Sequence, residues 1–255
     1  MKAVILAGGF GTRLSEETQS IPKPMIDIGG KPILWHLMKY FSSNNINEFV
    51  VALGYKSEVV KQYFLQYHQL QANLKIDLGR GAIHAERKSS ENWMLDLSET
   101  GHSTMTGGRL LRLKDKVHET FIFTYGDGLS NIPINKLIEF HRSHGKLATV
   151  TAVKPMQRFG ILNLSAQDEV LSFSEKPDHN NELVNGGFFI LEPQVFDYID
   201  GDDSIWEREP CERLAAEGQM MAYRHTDFWQ CVDTLHELRQ LRQQWESGDA
   251  QWKVW

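Results

Sequence analysis

Lys2-Ala3-Val4-Ile5-Leu6-Ala7-Gly8-Gly9-Phe10-Gly11-Thr12-Arg13-Leu14 decides the architecture. The five apolar residues Ala3 to Ala7 carry no polar interruption. Such a run fits a strand covered on both faces, as in a parallel sheet. It ends in Gly8, Gly9 and Gly11. Glycines let backbone N–H groups turn inward and approach an anion. Arg13 adds a permanent, planar cation suited to phosphate oxygens. Lys23 follows between two prolines, in Ile21-Pro22-Lys23-Pro24. Strand, glycine loop and two cations together point to a polyphosphate site.

Two neighbouring motifs are excluded. A dinucleotide fingerprint needs a third glycine where Leu14 stands. A P-loop needs Gly-Lys-Ser/Thr, which is absent here.

The 255 residues are enough for one large α/β domain or two small ones. Lys and Arg number 27 against 33 Asp and Glu, a net charge of −6, so bulk charge does not favour nucleic acid. An anion site must therefore be built locally. Cys211 and Cys231 form no C-x-x-C pair. With no signal peptide read, a reducing cytoplasm is the expectation. Apolar runs stop short of the roughly 18 residues that span a bilayer, so no membrane partner is expected.

Outward from the first strand, helical spacing follows Pro32 through Ile33, Leu34, Leu37, Met38 and Phe41. Asn47–Leu53 reads as a strand, and Ser57 as the cap of a helix to about Tyr67. Strand and helix alternating at this spacing implies right-handed crossovers and a mostly parallel sheet. Residues 76–105 are less regular, and so long a stretch in a compact domain is either functional or holds structure the pattern does not show. Ser103 to Leu110 reads as a second glycine-rich start of a helix whose free N–H groups suit a polar ligand, or as a plain capped helix.

Glu119–Tyr125 is another buried strand, ending in Gly126-Asp127-Gly128. Ligands of open parallel sheets lie outside the carboxyl ends of strands. Asp127 is there a metal candidate or simply a turn aspartate. Asn131 reads as the cap of a helix from Pro133, and Ala148–Val153 as a strand. Then the rhythm breaks. Residues 158–163 pair with 170–175, and Asn185–Leu191 adds a further strand, a small mixed or antiparallel addition over the sheet. Helices are read over Pro193–Ile199 and Trp206–Glu217. Asp233 precedes the last helix, either as a second metal carboxylate or as part of its cap region. Trp252 and Trp255 in the tail are expected to pack on the body or on a neighbouring subunit.

The glycine loop, Ile-Pro-Lys-Pro, Gly29-Gly30-Lys31-Pro32-Ile33-Leu34-Trp35-His36, Ser103-Thr104-Met105-Thr106-Gly107-Gly108-Arg109, Phe123-Thr124-Tyr125-Gly126-Asp127-Gly128, Arg158-Phe159-Gly160, Glu175-Lys176-Pro177, Asn185-Gly186-Gly187 and Phe228-Trp229-Gln230 with Asp233-Thr234 resemble, in order and spacing, the sugar-nucleotide pyrophosphorylase family, and its cytidylyl branch most. The resemblance covers nearly the whole chain. It implies a Rossmann-like, mostly parallel sheet flanked by helices, with a small mixed or antiparallel sugar-binding region. It implies one nucleotidyltransferase domain: 1–150 mainly for the nucleotide, 151–233 mainly for the sugar phosphate, 234–255 a helix and tail.

The resemblance further implies an enzyme that joins CTP to glucose 1-phosphate, giving CDP-glucose for surface-polysaccharide deoxysugars, with Mg²⁺ as cofactor. It suggests a homo-oligomer, often a hexamer. Leu6, Ala7, Gly8, Gly9, Phe10, Gly11, Thr12 and Arg13 would hold base edge, ribose and triphosphate, with Gly128 beside them. Arg13 and Lys23 would be catalytic. Thr104 and Arg109 would lie near cytosine, Arg109 as a donor to it. Gly160, Glu175, Lys176, Asn185 and Gly186 would bind the sugar phosphate, and Asp127 and Asp233 the metal. A surface ion pair is the plainer reading of Glu175-Lys176. Phe10, Ile21 and Cys231 depart from the residues common in the family. UTP or dTTP as nucleotide, a non-catalytic sugar-nucleotide sensor, and a nicotinamide oxidoreductase are the alternatives.

Overall fold

The structure is a computed structural model that describes residues 1–11, 14–18, 20–86, 91–155, 161–174 and 183–255. Its centre is a seven-stranded sheet. The strands are β1 (Ala3–Leu6), β2 (Glu48–Leu53), β3 (Met94–Glu99), β4 (Phe121–Tyr125), β5 (Ala148–Val153), β6 (Val184–Leu191) and β7 (Met220–His225). Their spatial order is β7-β5-β6-β4-β1-β2-β3. The pairs β1–β2, β1–β4, β2–β3 and β5–β7 are parallel, and β6 runs antiparallel to both β4 and β5. Leu6 stands level with Ala52 and Tyr125, so β1, β2 and β4 release their loops at one edge. The order reverses at β1, which places a crevice at that edge.

β1 is buried along its whole length. Ala3 and Ile5 join a core with Leu34, Phe41, Ile122 and Trp252 on one face. Val4 and Leu6 join Phe123, Phe189 and Trp206 on the other. This two-sided burial is why the sequence shows a continuous apolar run instead of alternation. The flanking helices are α1 (Ile33–Ser42), α2 (Ser57–Leu65), α3 (Thr106–Leu111), α4 (Ile134–His144), α5 (Glu209–Ala216) and α6 (Leu235–Ser247).

Several local expectations change. Residues 76–105 contain β3 and one arm of an exposed hairpin, Asn73–Asp77 with Ala82–Glu86. β3 is an edge strand with three polar residues in six, and the hairpin buries neither face; their alternations, Leu95-Asp96-Leu97-Ser98 and Leu74-Lys75-Ile76-Asp77, are too short to stand out as core-facing strands. Asn185–Leu191 is not an addition over the sheet: β6 lies inside it. The addition is the separate pair Ile161–Leu164 and Val170–Ser174. Ser57 does not cap α2. Lys56 holds that position with φ of 52°, while Ser57 Oγ donates to Glu99 Oε1 at 2.7 Å. Asn131 does not cap α4, which Pro133 precedes. Pro193–Tyr198 is a 3₁₀ helix, and α5 begins only at Glu209.

The tail packs on the body, as expected. Trp252 is fully buried and stacks on Phe228 and Trp245 with centroids 5.7 and 6.2 Å away. Its Nε1 donates to His36 Nδ1 at 3.3 Å, and His36 Nε2 lies 2.8 Å from Ile28 O. Those partners require neutral His36 with its proton on Nε2. Burial is the main cause that lowers the His36 pKa, to about 4.

One buried side chain fastens the loops at the crevice edge. Arg109 in α3 sends Nη1 to Leu53 O (3.1 Å), Thr100 Oγ1 (2.9 Å) and Gly101 O (2.7 Å). Its Nη2 donates to Gly8 O (3.0 Å) and His102 O (3.1 Å). The ends of β1, β2 and β3 are thus tied to one guanidinium. The approach is so close that a Cβ at Gly8 or Gly54 would sit 2.3 Å from Nη1.

Two predictions follow from this packing. Arg109→Met should cost about 3 kcal/mol in urea unfolding, because it strands buried carbonyls. Arg109→Lys should cost less, since an ammonium has three donors for five acceptors. A loss below about 1 kcal/mol for the Met variant would disprove the clamp. For His36, the unfolded chain binds the proton below about pH 6.5 and the folded chain only below about pH 4. Stability should therefore fall as pH drops through that interval, by roughly 2–4 kcal/mol from this group. His36→Gln should flatten that part of the stability–pH curve, and an unchanged slope would refute the assignment.

Candidate active site

The loop leaving β1 is held from below. Ala7 N donates to Ala52 O at 2.9 Å and Tyr55 N to Gly8 O at 3.2 Å. Gly9 and Phe10 are exposed to the crevice, and the Phe10 ring leans on Tyr55 and His102 with centroids 5.3 and 5.1 Å away. Gly11 has φ of +63°, a conformation suited to glycine, and its carbonyl accepts from Leu14 N and Thr18 Oγ1, both at 3.0 Å. The chain then returns through Pro22, extended at φ −72° and ψ 151°, into the short turn Lys23–Met25. This sets Lys23 under the crevice.

Asp127 and Asp233 are far apart in sequence and adjacent in space for a simple reason. Residues Gly128–Ser130 pair antiparallel with Trp229–Cys231, Gly128 opposite Cys231. Val232 N closes the ribbon on Asp127 O at 2.9 Å. Each aspartate thus stands at the same end of a two-stranded ribbon. Asp233 is also fixed by the capping box of α6, in which Glu237 Oε2 accepts from Asp233 N and Thr234 N, both at 2.8 Å. The cap reading and the site reading of Asp233 are therefore compatible.

Lys23 Nζ donates to Asp127 Oδ2 at 2.6 Å and to Asp233 Oδ1 at 2.7 Å. Burial alone would lower the lysine pKa, but the charge of Asp127 and hydrogen bonds to both carboxylates outweigh it, and the net shift is upward. The ammonium stays charged. Both carboxylates converge on one nitrogen, so their oxygens face a single point.

Around these groups lies a cleft of about 660 Å³. Leu6, Ala7, Gly9, Phe10 and Gly11 line one side, with Thr104 and Arg109 behind them. Lys23, Asp127, Gly128 and Asp233 form the floor, and Asn185 and Gly186 the far wall. Gly8 supports the loop from behind through Arg109. Thr12, Arg13, Gly160, Glu175 and Lys176 lie outside the described residues.

At the start of α3 the structure favours the plain capped reading over the ligand-facing one: Gly107 N and Gly108 N donate to Ser204 O at 2.9 and 3.2 Å, and Met105 N to Asp202 O at 2.9 Å. Arg109, expected as a donor to cytosine, directs Nη1 and Nη2 at chain oxygens instead.

The cleft is also lined by Tyr125, Glu207, Trp229 and Cys231, none of them assigned a role in the site from sequence. Trp229 Nε1 donates to Gly186 O at 2.6 Å, fixing the far wall. Asn185 Oδ1 accepts from Gly187 N at 2.8 Å in the same wall. Burial, then the charge of Asp127, keeps the Cys231 thiol protonated, its pKa pushed up. Phe-Trp-Gln was visible as a motif, but nothing local told that its indole reaches the β6 backbone.

Two carboxylates supply hard oxygen donors that suit Mg²⁺. Among the described residues no three His, Cys, Asp or Glu side chains gather as a ligand set. No helix among the described residues is long and apolar enough to cross a membrane.

Comparison with known proteins agrees with this geometry. The Nucleotidyl transferase family matches residues 2–248. Glucose-1-phosphate cytidylyltransferase of Salmonella typhi is 49% identical over the full length of both chains. A probable glucose-1-phosphate cytidylyltransferase of Bacillus subtilis is 45% identical, again over both full lengths. Among solved structures, HddC from Yersinia pseudotuberculosis superposes with a TM-score of 0.70 at 23% identity, covering 96% of this chain and 99% of that one, and shows the fold. A family model over nearly the whole chain and full-length relatives at 45–49% identity agree, and the chain belongs to the nucleotidyl transferase family.

Proposed function

We propose that this enzyme transfers the cytidylyl group of CTP to glucose 1-phosphate, giving CDP-glucose and pyrophosphate. The observation that carries the reading is the convergence of Lys23, Asp127 and Asp233 beneath the glycine loop. Full-length identity to the cytidylyltransferase of Salmonella typhi supports the choice of substrates.

In this reading a phosphate oxygen of glucose 1-phosphate attacks the α-phosphorus of CTP, and pyrophosphate leaves in line. The attacking phosphate has a second pKa near 6 and is largely dianionic at neutral pH, so no general base is needed. The work of the protein is to align two anions that repel each other and to neutralise the charge at the reacting phosphorus. Asp127 and Asp233 would hold Mg²⁺, which supplies Lewis-acid neutralisation of the phosphoryl oxygens. Lys23, beside those carboxylates, and Arg13 would meet the phosphates of the substrates. The glycine loop, Leu6 to Thr12, packs on base, ribose and phosphates with Gly128. Thr104 lines the base side. Arg109 acts through the carbonyls of Gly8, Gly101 and His102 that it orients. Asn185 and Gly186, with Gly160, Glu175 and Lys176, serve the sugar phosphate. Residues 1–150 would then serve mainly the nucleotide, and 151–233 mainly the sugar phosphate.

The homo-oligomer would use the apolar surface between α2 and β3. Leu65, Leu70, Leu74, Ile76, Leu78 and Ile83 are all exposed in that part of the chain, with Ile76 opposite Ile83 in the hairpin. Exposed apolar side chains that gather into a patch mark association surfaces.

Two measurements test these readings. Pyrophosphate release with glucose 1-phosphate and Mg²⁺ should be far faster with CTP than with UTP, dTTP, ATP or GTP, and should vanish with chelator. Comparable release with another nucleotide would sink the base assignment, and no release with any would sink the reaction. Sedimentation should give a multiple of 29.3 kDa, and a monomer mass would refute self-association.

A further inference from the structure

Glu207 is a carboxylate in a cleft built for two anionic substrates, and it lies in the segment ahead of α5, outside every motif above. It is exposed to that cleft. Among the described residues no cation pairs with it. Its two oxygens are nonetheless oriented. Oε1 accepts from the Tyr125 hydroxyl, and Oε2 accepts from Thr106 Oγ1 at 2.7 Å. Thr106 is itself fixed, since its hydroxyl accepts from Trp206 N at 2.9 Å. Gly187 of the far wall packs so closely on the Tyr125 ring that a Cβ there would sit 2.7 Å from its Cδ2, which sets this carboxylate beside that wall. Burial, then the charge of Glu207, drives the Tyr125 pKa up, so the phenol remains a donor.

A carboxylate held in one orientation, with one hydroxyl donor on each oxygen, keeps a spare lone pair on each. It repels phosphate. Its natural partners are neutral donors, and adjacent hydroxyls of a sugar ring match its two oxygens. Its anchors mark the place. Thr106 begins α3, two residues after Thr104 on the base side, and Tyr125 precedes Gly126-Asp127 at the phosphate end. A sugar lies between base and α-phosphate, and another lies beyond the phosphate toward Asn185.

We propose that Glu207 is a specificity residue that accepts hydrogen bonds from sugar hydroxyls, of the ribose of the nucleotide or of the hexose. Tyr125 and Thr106 position it. The inference rests on the nucleotidyl-transfer reading of the same cleft.

The test is a cycle between enzyme and substrate. Glu207→Gln should fold and lose on the order of ten- to a hundredfold in kcat/KM, the worth of hydrogen bonds to a charged group. Wild-type enzyme should lose a similar factor when 2′-deoxy-CTP or 3′-deoxy-CTP replaces CTP, or when a singly deoxygenated glucose 1-phosphate replaces the natural sugar. The variant should lose little more with the analogue that lacks the contacted hydroxyl. Coupling to the CTP analogues assigns the ribose, and coupling to the sugar analogues assigns the hexose. Additive penalties for every analogue would overturn the proposal. So would a loss of discrimination between CTP and UTP without any hydroxyl coupling, which would mark a base contact. If Glu207→Gln does not fold, Tyr125→Phe and Thr106→Val each release one oxygen of the carboxylate and should weaken the same hydroxyl preference. A wild type indifferent to all of the deoxy analogues overturns the proposal without any variant. Absence of pyrophosphate release by the wild type would instead remove the reaction itself, which separates the two failures.

Discussion

An ammonium shared by two carboxylates holds the active edge of this protein together. Lys23, Asp127 and Asp233 come from three distant parts of the chain and meet within 2.7 Å of one nitrogen. Two partly buried carboxylates facing one point repel unless a cation lies between them, and a buried charge without a partner is strongly unfavourable. Everything nearby follows from that requirement. The β4 turn presents one aspartate, the ribbon of Gly128–Ser130 with Trp229–Cys231 carries the other to the same level, and the proline-flanked turn brings the lysine beneath both. The protein alone is thus charge-compensated at this edge.

Structural and ligand-facing tasks are divided among the polar groups at this edge. Arg109 resembles a recognition residue by type and by position in a glycine-rich motif. Its terminal nitrogens instead bind five oxygens of the protein, four of them backbone carbonyls at the ends of three strands or just beyond. A guanidinium so engaged gives up direct contact for rigidity. What it provides is a fixed row of loop atoms, and preorganised backbone groups are an effective way to meet a ligand without reorganisation at the moment of binding.

The sequence was legible wherever one local cause determines structure. β1 announced itself because burial on both faces leaves an unbroken apolar run, and the glycine loop because few other chemistries need three glycines before an arginine. Asp127 and Asp233 could each be suspected, but their meeting depends on a strand pairing across about a hundred residues, and no local pattern encodes that. The two readings of the start of α3 could not be separated from sequence for the same reason, because the carbonyls of Asp202 and Ser204 that accept from it arrive from a distant loop. β3 stayed hidden because its alternation, Leu95-Asp96-Leu97-Ser98, is only four residues long and its edge position leaves it little buried apolar surface, and Glu207 because a lone acid in a charged segment has no signature until its neighbours are known.

The electrostatics of the cleft explain why its negative groups are tolerated. Asp127 and Asp233 are compensated by Lys23 in the protein alone and face the place where a cation is wanted. Glu207 has no such partner among the described residues, yet its oxygens are held apart from the floor by Tyr125 and Thr106. A like charge near two anionic substrates lowers affinity for both unless it gains something in return at its own position. Placed where sugars run, it discriminates by hydroxyl content and leaves phosphate binding to the cations. One cleft can then hold two mutually repelling phosphates and still read the neutral parts of both molecules, because each kind of group acts at a separate level of the wall.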